Sequence, residues 1–231
     1  MNGDFEMIEA FNDELSDITK AVAHVDWLLC PPYPYIAGID TISRGAQDCS
    51  AQDNGAHTGE ISASMLSDIG CEYCIAGHSE RREYYGESNA DVKAKANKVI
   101  ENNMIAIICV GETLTQRQLG AEYKVVEAQI VESLPSAANA QNVVIAYEPV
   151  WAIGTGQAAT VDDVLKMHTH IRELLKTTLA DGAKMRILYG GSVKPSNASE
   201  LMNLDNVDGA LIGGASLKSA DFIAIGKAVK N

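Results

Sequence analysis

The stretch that decides the fold is VVIAYEPVWAIGTG, which occupies residues 143–156. Its first five residues are apolar and mostly β-branched, a pattern typical of a strand that is buried on both faces. Glu148 and Pro149 follow directly, and the proline prevents the strand from continuing. The sequence therefore predicts a buried strand with a carboxylate at its carboxyl end, followed by a loop that contains Gly154 and Gly156.

Two interpretations of Glu148 remain open at this point. A carboxylate at a strand end, ahead of a glycine-containing loop, can be a general base beneath a mobile lid. It can also be an acidic residue that caps an ordinary turn between a strand and a helix. The residues around it are compatible with both.

Length and composition limit the classes of protein. The chain has 231 residues, enough for one large α/β domain, and we expect residues 1–231 to form a single domain. Charged residues make up 21% and hydrophobic residues 46%, as in soluble globular proteins. The net charge of -13 argues against a nucleic-acid or anionic-membrane partner, so an anionic ligand would need local binding groups.

The sequence also predicts a cytoplasmic protein without a metal site. It has no apolar stretch long enough for a transmembrane helix, and its first residues do not resemble a signal peptide. The five cysteines are scattered through apolar runs, as expected of reduced thiols. Cys71 and Cys74 have the spacing of a metal-binding pair, but no second pair accompanies them, and we expect a core role.

Apolar periodicity and turn residues divide the chain into alternating strands and helices. The predicted strands are residues 25–30, 43–48, 71–76, 104–110, 143–147, 186–189 and 209–212. The predicted helices are residues 4–22, 62–70, 89–102, 115–134, 160–180, 196–204 and 219–229, and another should begin near Ser79. This alternation specifies a parallel sheet with crossover helices, either an open doubly wound sheet or a closed barrel.

The positions of the glycine-rich turns favour the barrel. No glycine-rich fingerprint follows the first predicted strand, which disfavours a dinucleotide-binding sheet. Residues 190–192 and 213–214 follow the last two strands, where such barrels commonly bind phosphate. We therefore predict an α/β fold, a TIM (β/α)8-type barrel that lacks the first strand and has seven recognisable strands.

A histidine occupies the same predicted rim as Glu148. His78 follows the strand at residues 71–76, and a lone histidine at a strand end is more often structural than catalytic. Together, however, a carboxylate and an imidazole suit proton abstraction next to a carbonyl group. The helix expected to begin at Ser79 should lower the pKa of His78 and keep its ring neutral.

Five segments give the chain a resemblance to a known family over nearly its whole length. They are GHSERR (77–82), CVGE (109–112), AYEPVWAIGTG (146–156), YGGSV (189–193) and GGASL (213–217), and in order and spacing they resemble the triosephosphate isomerase family. The resemblance implies interconversion of dihydroxyacetone phosphate and glyceraldehyde 3-phosphate through an enediolate, in glycolysis and gluconeogenesis. It implies no metal or organic cofactor.

The resemblance also implies roles for individual residues. Glu148 would be the general base, His78 would polarise the carbonyl as a neutral ring, as is known for this family, and Glu80 would be a buried acidic partner. For Glu80, a plain position at a helix N-terminus is the alternative. Backbone amides would bind the substrate phosphate at Gly154, Ser192, Gly213 and Gly214. Residues that anchor or latch a closing lid would be Trp151, Glu112 and Tyr189.

Residues 49–58 resemble the family's projecting dimer loop, which implies a homodimer. The first residues, Met1 to Gly3, resemble the end of the family's N-W-K-M-N-G segment, so we expect the first strand and the catalytic lysine to be missing. Lysines elsewhere are expected to face solvent: Lys20, Lys93, Lys95, Lys98 and Lys124. Three alternatives follow, namely an isomerase with weak or no activity, a longer reading frame in which Met1 is internal, and a non-catalytic phosphate-ligand-binding or assembly protein.

Overall fold

The sheet is parallel, and its strands follow one another in sequence order. A computed structural model describes residues 1–153 and 159–229 of the chain. Within these ranges the seven strands pair in the order β1 to β7 without a reversal, which is the order of a barrel and not of a doubly wound sheet. The strands are β1 Leu28–Leu29, β2 Ser43–Ala46, β3 Cys71–Ala76, β4 Ile105–Val110, β5 Val143–Tyr147, β6 Ile187–Tyr189 and β7 Gly209–Ala210. The predicted seven-stranded barrel-type fold is confirmed.

Helices precede the first strand, lie between most pairs of successive strands and follow the last one. They are α1 Phe5–Ala21, α2 Ala63–Asp68, α3 Ser79–Tyr85, α4 Asn89–Glu101, α5 Leu114–Gln118, α6 Glu122–Ser133, α7 Val161–Thr178, α8 Ala198–Leu201 and α9 Ser219–Lys227. Short 3-10 helices occupy Tyr33–Gly38, Val150–Ala152, Gly182–Lys184 and Gly214–Leu217. Several helices begin where a polar side chain accepts a hydrogen bond from their first turn, and Thr160 and Asp163 form the expected reciprocal cap of α7.

One predicted helix was wrong. Residues 115–134 form two helices, α5 and α6, because Gly120 adopts a left-handed conformation with φ +66° between them. Thr113 and Gln116 cap the start of α5 reciprocally, so the short helix has its own N-terminal cap. The strand predicted at residues 25–30 and the helix predicted at 196–204 are also shorter than expected.

The core lies on both faces of the sheet. The larger cluster fills the space between the strands and the surrounding helices, and a smaller one, which includes Ile75, Ile107 and Val144, lines the inner face. The first helix, α1, packs against the last helix, α9. The Phe222 ring of α9 lies 5.7 Å from that of Phe11 and 5.5 Å from that of Trp27. The first and last helices are thereby joined by aromatic packing.

Lys95 is buried, which corrects the expectation that it faces solvent. It is 8% exposed, and its Nζ lies 2.7 Å from Asp48 Oδ1 and 2.5 Å from Glu87 Oε1. Arg81 Nη2 also contacts Asp48, at 2.9 Å. Burial lowers the pKa of Lys95, but its hydrogen bonds to Asp48 and Glu87 outweigh that effect and raise it. This cluster, Asp48–Arg81–Glu87–Lys95, connects the loop after β2 to α3 and α4.

Replacing Lys95 should therefore destabilise the fold. In Lys95→Met the carboxylates of Asp48 and Glu87 stay buried with only Arg81 to balance them, and we expect a loss of about 3–5 kcal/mol in the free energy of unfolding. Urea denaturation measures this loss. The control is Lys124→Met, which removes an exposed lysine of α6. Equal stabilities of the two variants would show that the cluster contributes nothing.

A buried histidine makes stability depend on pH. His168 of α7 is 0% exposed, its Nδ1 donates to the Asn206 carbonyl over 2.9 Å, and its ring lies 5.9 Å from that of Tyr147. Burial lowers the pKa of His168 to about 4. The folded state thus resists a proton that the unfolded state accepts near its ordinary pKa of 6.5.

The sign of the effect follows from this difference. Stability should fall as the pH drops below the unfolded-state pKa, and the part due to His168 is about 2 kcal/mol between roughly pH 7.5 and roughly pH 5. The measurement is the free energy of unfolding of the wild type minus that of His168→Gln at both pH values. The exposed His57→Gln serves as the control. A difference that does not change with pH would contradict a neutral buried His168.

Candidate active site

The predicted site residues that the structure describes lie at the carboxyl ends of the strands. His78 follows β3, Glu112 follows β4 and Glu148 follows β5, while Ser192 and Gly213 follow β6 and β7. In a parallel barrel these ends form one rim, which is where side chains from different strands can act together. Gly154 belongs to residues 154–158 and lies outside the described residues.

The Glu148 side chain is buried, and both of its carboxylate oxygens have hydrogen-bond partners. It is 2% exposed, and its Oε2 accepts a hydrogen bond from the Ser79 amide over 3.0 Å. Its Oε1 accepts from Ser79 Oγ over 3.1 Å and contacts His78 Nε2 at 3.0 Å. The backbone of Glu148 comes so close to Gly111 that a Cβ there would lie 1.7 Å from the Glu148 carbonyl oxygen. Only glycine allows this approach.

The contacts of His78 define its tautomer. Nδ1 accepts a hydrogen bond from the Glu80 amide over 3.3 Å, so the proton of a neutral ring is on Nε2, which faces Glu148. This amide is the one expected from a helix that begins at Ser79. Burial lowers the pKa of His78, but the hydrogen bond and charge of Glu148 outweigh it and raise the pKa above its ordinary value. The expectation of a lowered pKa was wrong for this conformation.

Glu80 is not the buried partner that the resemblance implied. Its side chain is 68% exposed, and its Oε2 lies 3.9 Å from His78 Nδ1. It stands in the first turn of α3, where a negative charge interacts favourably with the amide end of the helix. The alternative interpretation, a position at a helix N-terminus, describes it better.

Glu112 organises a second cluster on the same rim. It is 0% exposed, and its Oε1 accepts hydrogen bonds from Trp151 Nε1 over 2.7 Å and Tyr147 Oη over 3.1 Å. Arg117 Nη1 lies 3.3 Å from the same oxygen, and its guanidinium carbon stands 4.6 Å from the centre of the Trp151 ring. Burial raises the pKa of Glu112 above its ordinary value. Two of the predicted lid residues, Glu112 and Trp151, are therefore in direct contact.

The third predicted lid residue, Tyr189, lies in β6 opposite Tyr147 of β5 and is 1% exposed. Burial raises the pKa of Tyr189 to about 12, so its hydroxyl keeps its proton. Gly191 packs against this hydroxyl, because a Cβ at Gly191 would lie 2.2 Å from Tyr189 Oη.

The loops after β6 and β7 present free amides. In the described part of the chain no acceptor pairs with the backbone N–H groups of Ser192, Gly213 or Gly214. A Cβ at Gly213 or Gly214 would meet nothing within 4 Å, so the two residues border open space. Unpaired amides on adjacent loops are suited to hold an anion.

Three residues near the site were missed by sequence reasoning. Ser79 supplies two hydrogen bonds to Glu148, Cys109 places its thiol against the same carboxylate, and Arg82 donates to the carbonyl of Gly77, the residue before His78. Burial, with the charge of Glu148, raises the pKa of Cys109 well above its ordinary value, so the thiol stays protonated. Ser79 and Arg82 fall within GHSERR and could have been weighed there, whereas Cys109 resembles any core cysteine.

Among residues 1–153 and 159–229 no group of three or more His, Cys, Asp or Glu side chains could hold a metal ion. Over the same ranges no helix has the length and apolar character needed to cross a membrane.

Fold and site together are those of a barrel enzyme with a carboxylate and an imidazole that suit proton transfer beside a carbonyl, and with unpaired amides on the same rim. The chain belongs to the triosephosphate isomerase family, a family of aldose–ketose isomerases, because the family's sequence model matches residues 1–229. It is 48% identical to the triosephosphate isomerase of Bradyrhizobium sp. (strain ORS 278), over 98% of this chain and 94% of that protein.

Further relatives agree with this assignment. The triosephosphate isomerase of Rhizobium meliloti (strain 1021) is 53% identical, over 89% of this chain and 83% of its own length. The crystal structure of triosephosphate isomerase from Bartonella henselae superposes with a TM-score of 0.88 at 42% identity, covering 99% of this chain and 94% of that one.

Proposed function

We propose that this chain interconverts dihydroxyacetone phosphate and glyceraldehyde 3-phosphate. The observation that carries the proposal is the contact of 3.0 Å between His78 Nε2 and Glu148 Oε1 on the carboxyl rim of the barrel. One group can take a proton from carbon while the other donates a hydrogen bond to the carbonyl oxygen. Family membership supports the same reaction.

The reaction needs Glu148 to exchange partners. Both of its oxygens accept hydrogen bonds, from His78 and Ser79, so it must leave at least one of them to reach a substrate carbon. It then removes a proton from one carbon, which leaves an enediolate, and returns the proton to the neighbouring carbon. The hydroxyl proton of the substrate must also move from one oxygen to the other, and His78 Nε2 can donate a proton to one oxygen and take one from the other. His78 Nε2–H, released from Glu148, stabilises the negative oxygen of the intermediate.

The substrate phosphate is assigned to the amides of Gly154, Ser192, Gly213 and Gly214. The free N–H groups of the last three support this assignment. A chain of net charge -13 repels a phosphorylated substrate at long range, so aligned backbone dipoles are the local device that can hold it.

Lid roles are assigned to Trp151, Glu112 and Tyr189. Trp151 stands three residues before residue 154, and its hydrogen bond to the buried Glu112 supports an anchor there. Tyr189 is assigned as the latch. A closed lid excludes water, which protects the enediolate from loss of its phosphate and strengthens each electrostatic contact in the site.

We further infer a single-domain, cytoplasmic enzyme of glycolysis and gluconeogenesis that forms a homodimer through residues 49–58 and needs no cofactor. The geometry of the loop supports the dimer. The Ser50 amide donates to the Ile61 carbonyl over 2.8 Å and closes the base of the loop, while residues 52–60 are exposed. Light scattering at several protein concentrations would test the oligomeric state.

The expectation that this chain is weakly active because it lacks a catalytic lysine remains a proposal, and it concerns the rate of turnover. No lysine of the described residues contacts His78 or Glu148. Similarity to a relative over 98% of this chain gives no support to inactivity. A positive charge beside the developing oxyanion is nevertheless a strong contribution in a site built from carboxylates and neutral dipoles.

Replacing the proposed base gives the first test. Glu148→Gln keeps the size of the side chain but cannot accept a proton, and we expect turnover to fall by about 10²–10⁴-fold. Steady-state isomerisation of glyceraldehyde 3-phosphate measures this, with the exposed Glu83→Gln of α3 as the control. An unchanged rate would show that the activity comes from a contaminant or from other chemistry.

The second test adds a cation. A version extended at its N-terminus by a strand ending in N-W-K should turn over faster than the 231-residue chain, by roughly 10²–10³-fold. Comparable rates would mean that a group already present does the work of the lysine. If neither version turns over but both bind inorganic phosphate, the non-catalytic alternative replaces the isomerase.

A further inference from the structure

Arg82 is a partly buried cation beside the site that none of the proposed roles uses. It lies in α3, and its guanidinium donates three hydrogen bonds in three directions. Nε donates to the Gly77 carbonyl over 2.9 Å, Nη2 to the Cys109 carbonyl over 3.1 Å, and Nη1 to Asn89 Oδ1 over 2.8 Å. A planar guanidinium can span such a set of acceptors, whereas an ammonium group cannot.

The two carbonyls belong to the point where β3 and β4 separate. The last registered pair of these strands is Ala76 with Ile108, so Gly77 and Cys109 are the next residue on each strand. Gly77 leaves the strand with φ +70°, which ends the ladder there. Arg82 thus supplies donors to carbonyls at the edge of the ladder, and it fixes the distance between the two strand ends.

The same contacts fix α3. His78 is the N-cap of this helix and Ser79 its first residue, and together they make three contacts to the Glu148 carboxylate, to which the Cys109 thiol of β4 adds a further one. Because Arg82 stands one turn further along α3, its anchoring to β3 and β4 prevents the helix from sliding or tilting over the strand ends. A shift of α3 would change the three contacts at once.

We propose that Arg82 is a positioning residue: its guanidinium holds α3 against the ends of β3 and β4, so that His78 and Ser79 meet Glu148. The kinetic consequence rests on the proposed isomerase function, whereas the geometric consequence does not. Arg82 acts through His78 and Ser79 and is not itself assigned a contact with substrate.

The chain contains a matched control at the opposite rim. Arg44 of β2 also joins two carbonyls, with Nε donating to Ile39 over 2.5 Å and Nη1 to Ile69 over 2.9 Å. Ile39 precedes β2 and Ile69 precedes β3, so these carbonyls lie at the amino ends of the strands. Arg44→Lys therefore removes a similar bridge far from His78 and Glu148.

The experiment compares Arg82→Lys with Arg44→Lys in the whole chain. Lysine keeps the positive charge, but its ammonium group cannot span the acceptors that the guanidinium joins. In Arg82→Lys we expect kcat to fall by roughly tenfold to 100-fold with little change in KM, since misplaced reacting groups cost rate while the phosphate loops are untouched. In Arg44→Lys we expect both constants to stay at the wild-type values.

A readout that does not depend on turnover completes the test. The titration of the His78 ring by NMR should shift to lower pH in Arg82→Lys, because the contact with Glu148 that raises the pKa of His78 becomes looser. The charge at position 82 is unchanged, so the shift reports geometry. Arg44→Lys should titrate like the wild type.

The outcomes separate the two proposals. If the wild type, including its extended version, has no isomerase activity, the proposed function fails and the His78 titration alone decides the role of Arg82. If Arg82→Lys titrates and turns over like the wild type, Arg82 is not a positioning residue. Should Arg82→Lys not fold, Asn89→Ala removes one of the three acceptors, and a few-fold lower kcat with the same shift in titration supports the proposal, whereas wild-type behaviour overturns it.

Discussion

The site depends on one constraint, which is the burial of the Glu148 carboxylate. A carboxylate that is 2% exposed costs several kcal/mol unless protein groups replace its water. Ser79 and His78 provide this replacement through the first residues of α3, and the end of β4 provides Gly111, whose missing side chain admits the Glu148 backbone. The separate strands β3, β4 and β5 must therefore end in a fixed relation to one another.

Several cationic side chains that fix the positions of neighbouring elements bind groups within the fold. Arg172 bonds to the Gly182, Ala183 and Met185 carbonyls and to Asp208, and Lys95 joins Asp48 to Glu87. Like Arg82 and Arg44, these side chains satisfy backbone carbonyls or buried carboxylates. An acidic chain that uses these cations for structure has to recognise an anion in another way, and in the proposed function the free amides after β6 and β7 serve this purpose.

Sequence patterns predicted the elements whose chemistry is local. The apolar run ahead of Glu148 predicts a buried strand, and the glycines after β6 and β7 predict turns, each from its own residues. Strand order in a barrel then predicts where these segments lie. The break at Gly120 was missed because a left-handed turn interrupts a helix without disturbing its apolar period. The burial of Lys95 and the exposure of Glu80 were missed because both depend on which partner comes near from another element.

The pKa of His78 depends on the position of the Glu148 side chain. With Glu148 at 3.0 Å, its hydrogen bond and charge raise the pKa. In the proposed reaction Glu148 turns to a substrate carbon and takes up a proton, so both contributions are lost. Burial and the Glu80 amide at Nδ1 remain and favour the neutral ring, opposed by the charge of the exposed Glu80 side chain 3.9 Å from Nδ1. In that proposal the imidazole keeps its Nε2 proton as a donor while negative charge develops on the substrate oxygen, and the movement of one carboxylate changes the surroundings of both groups.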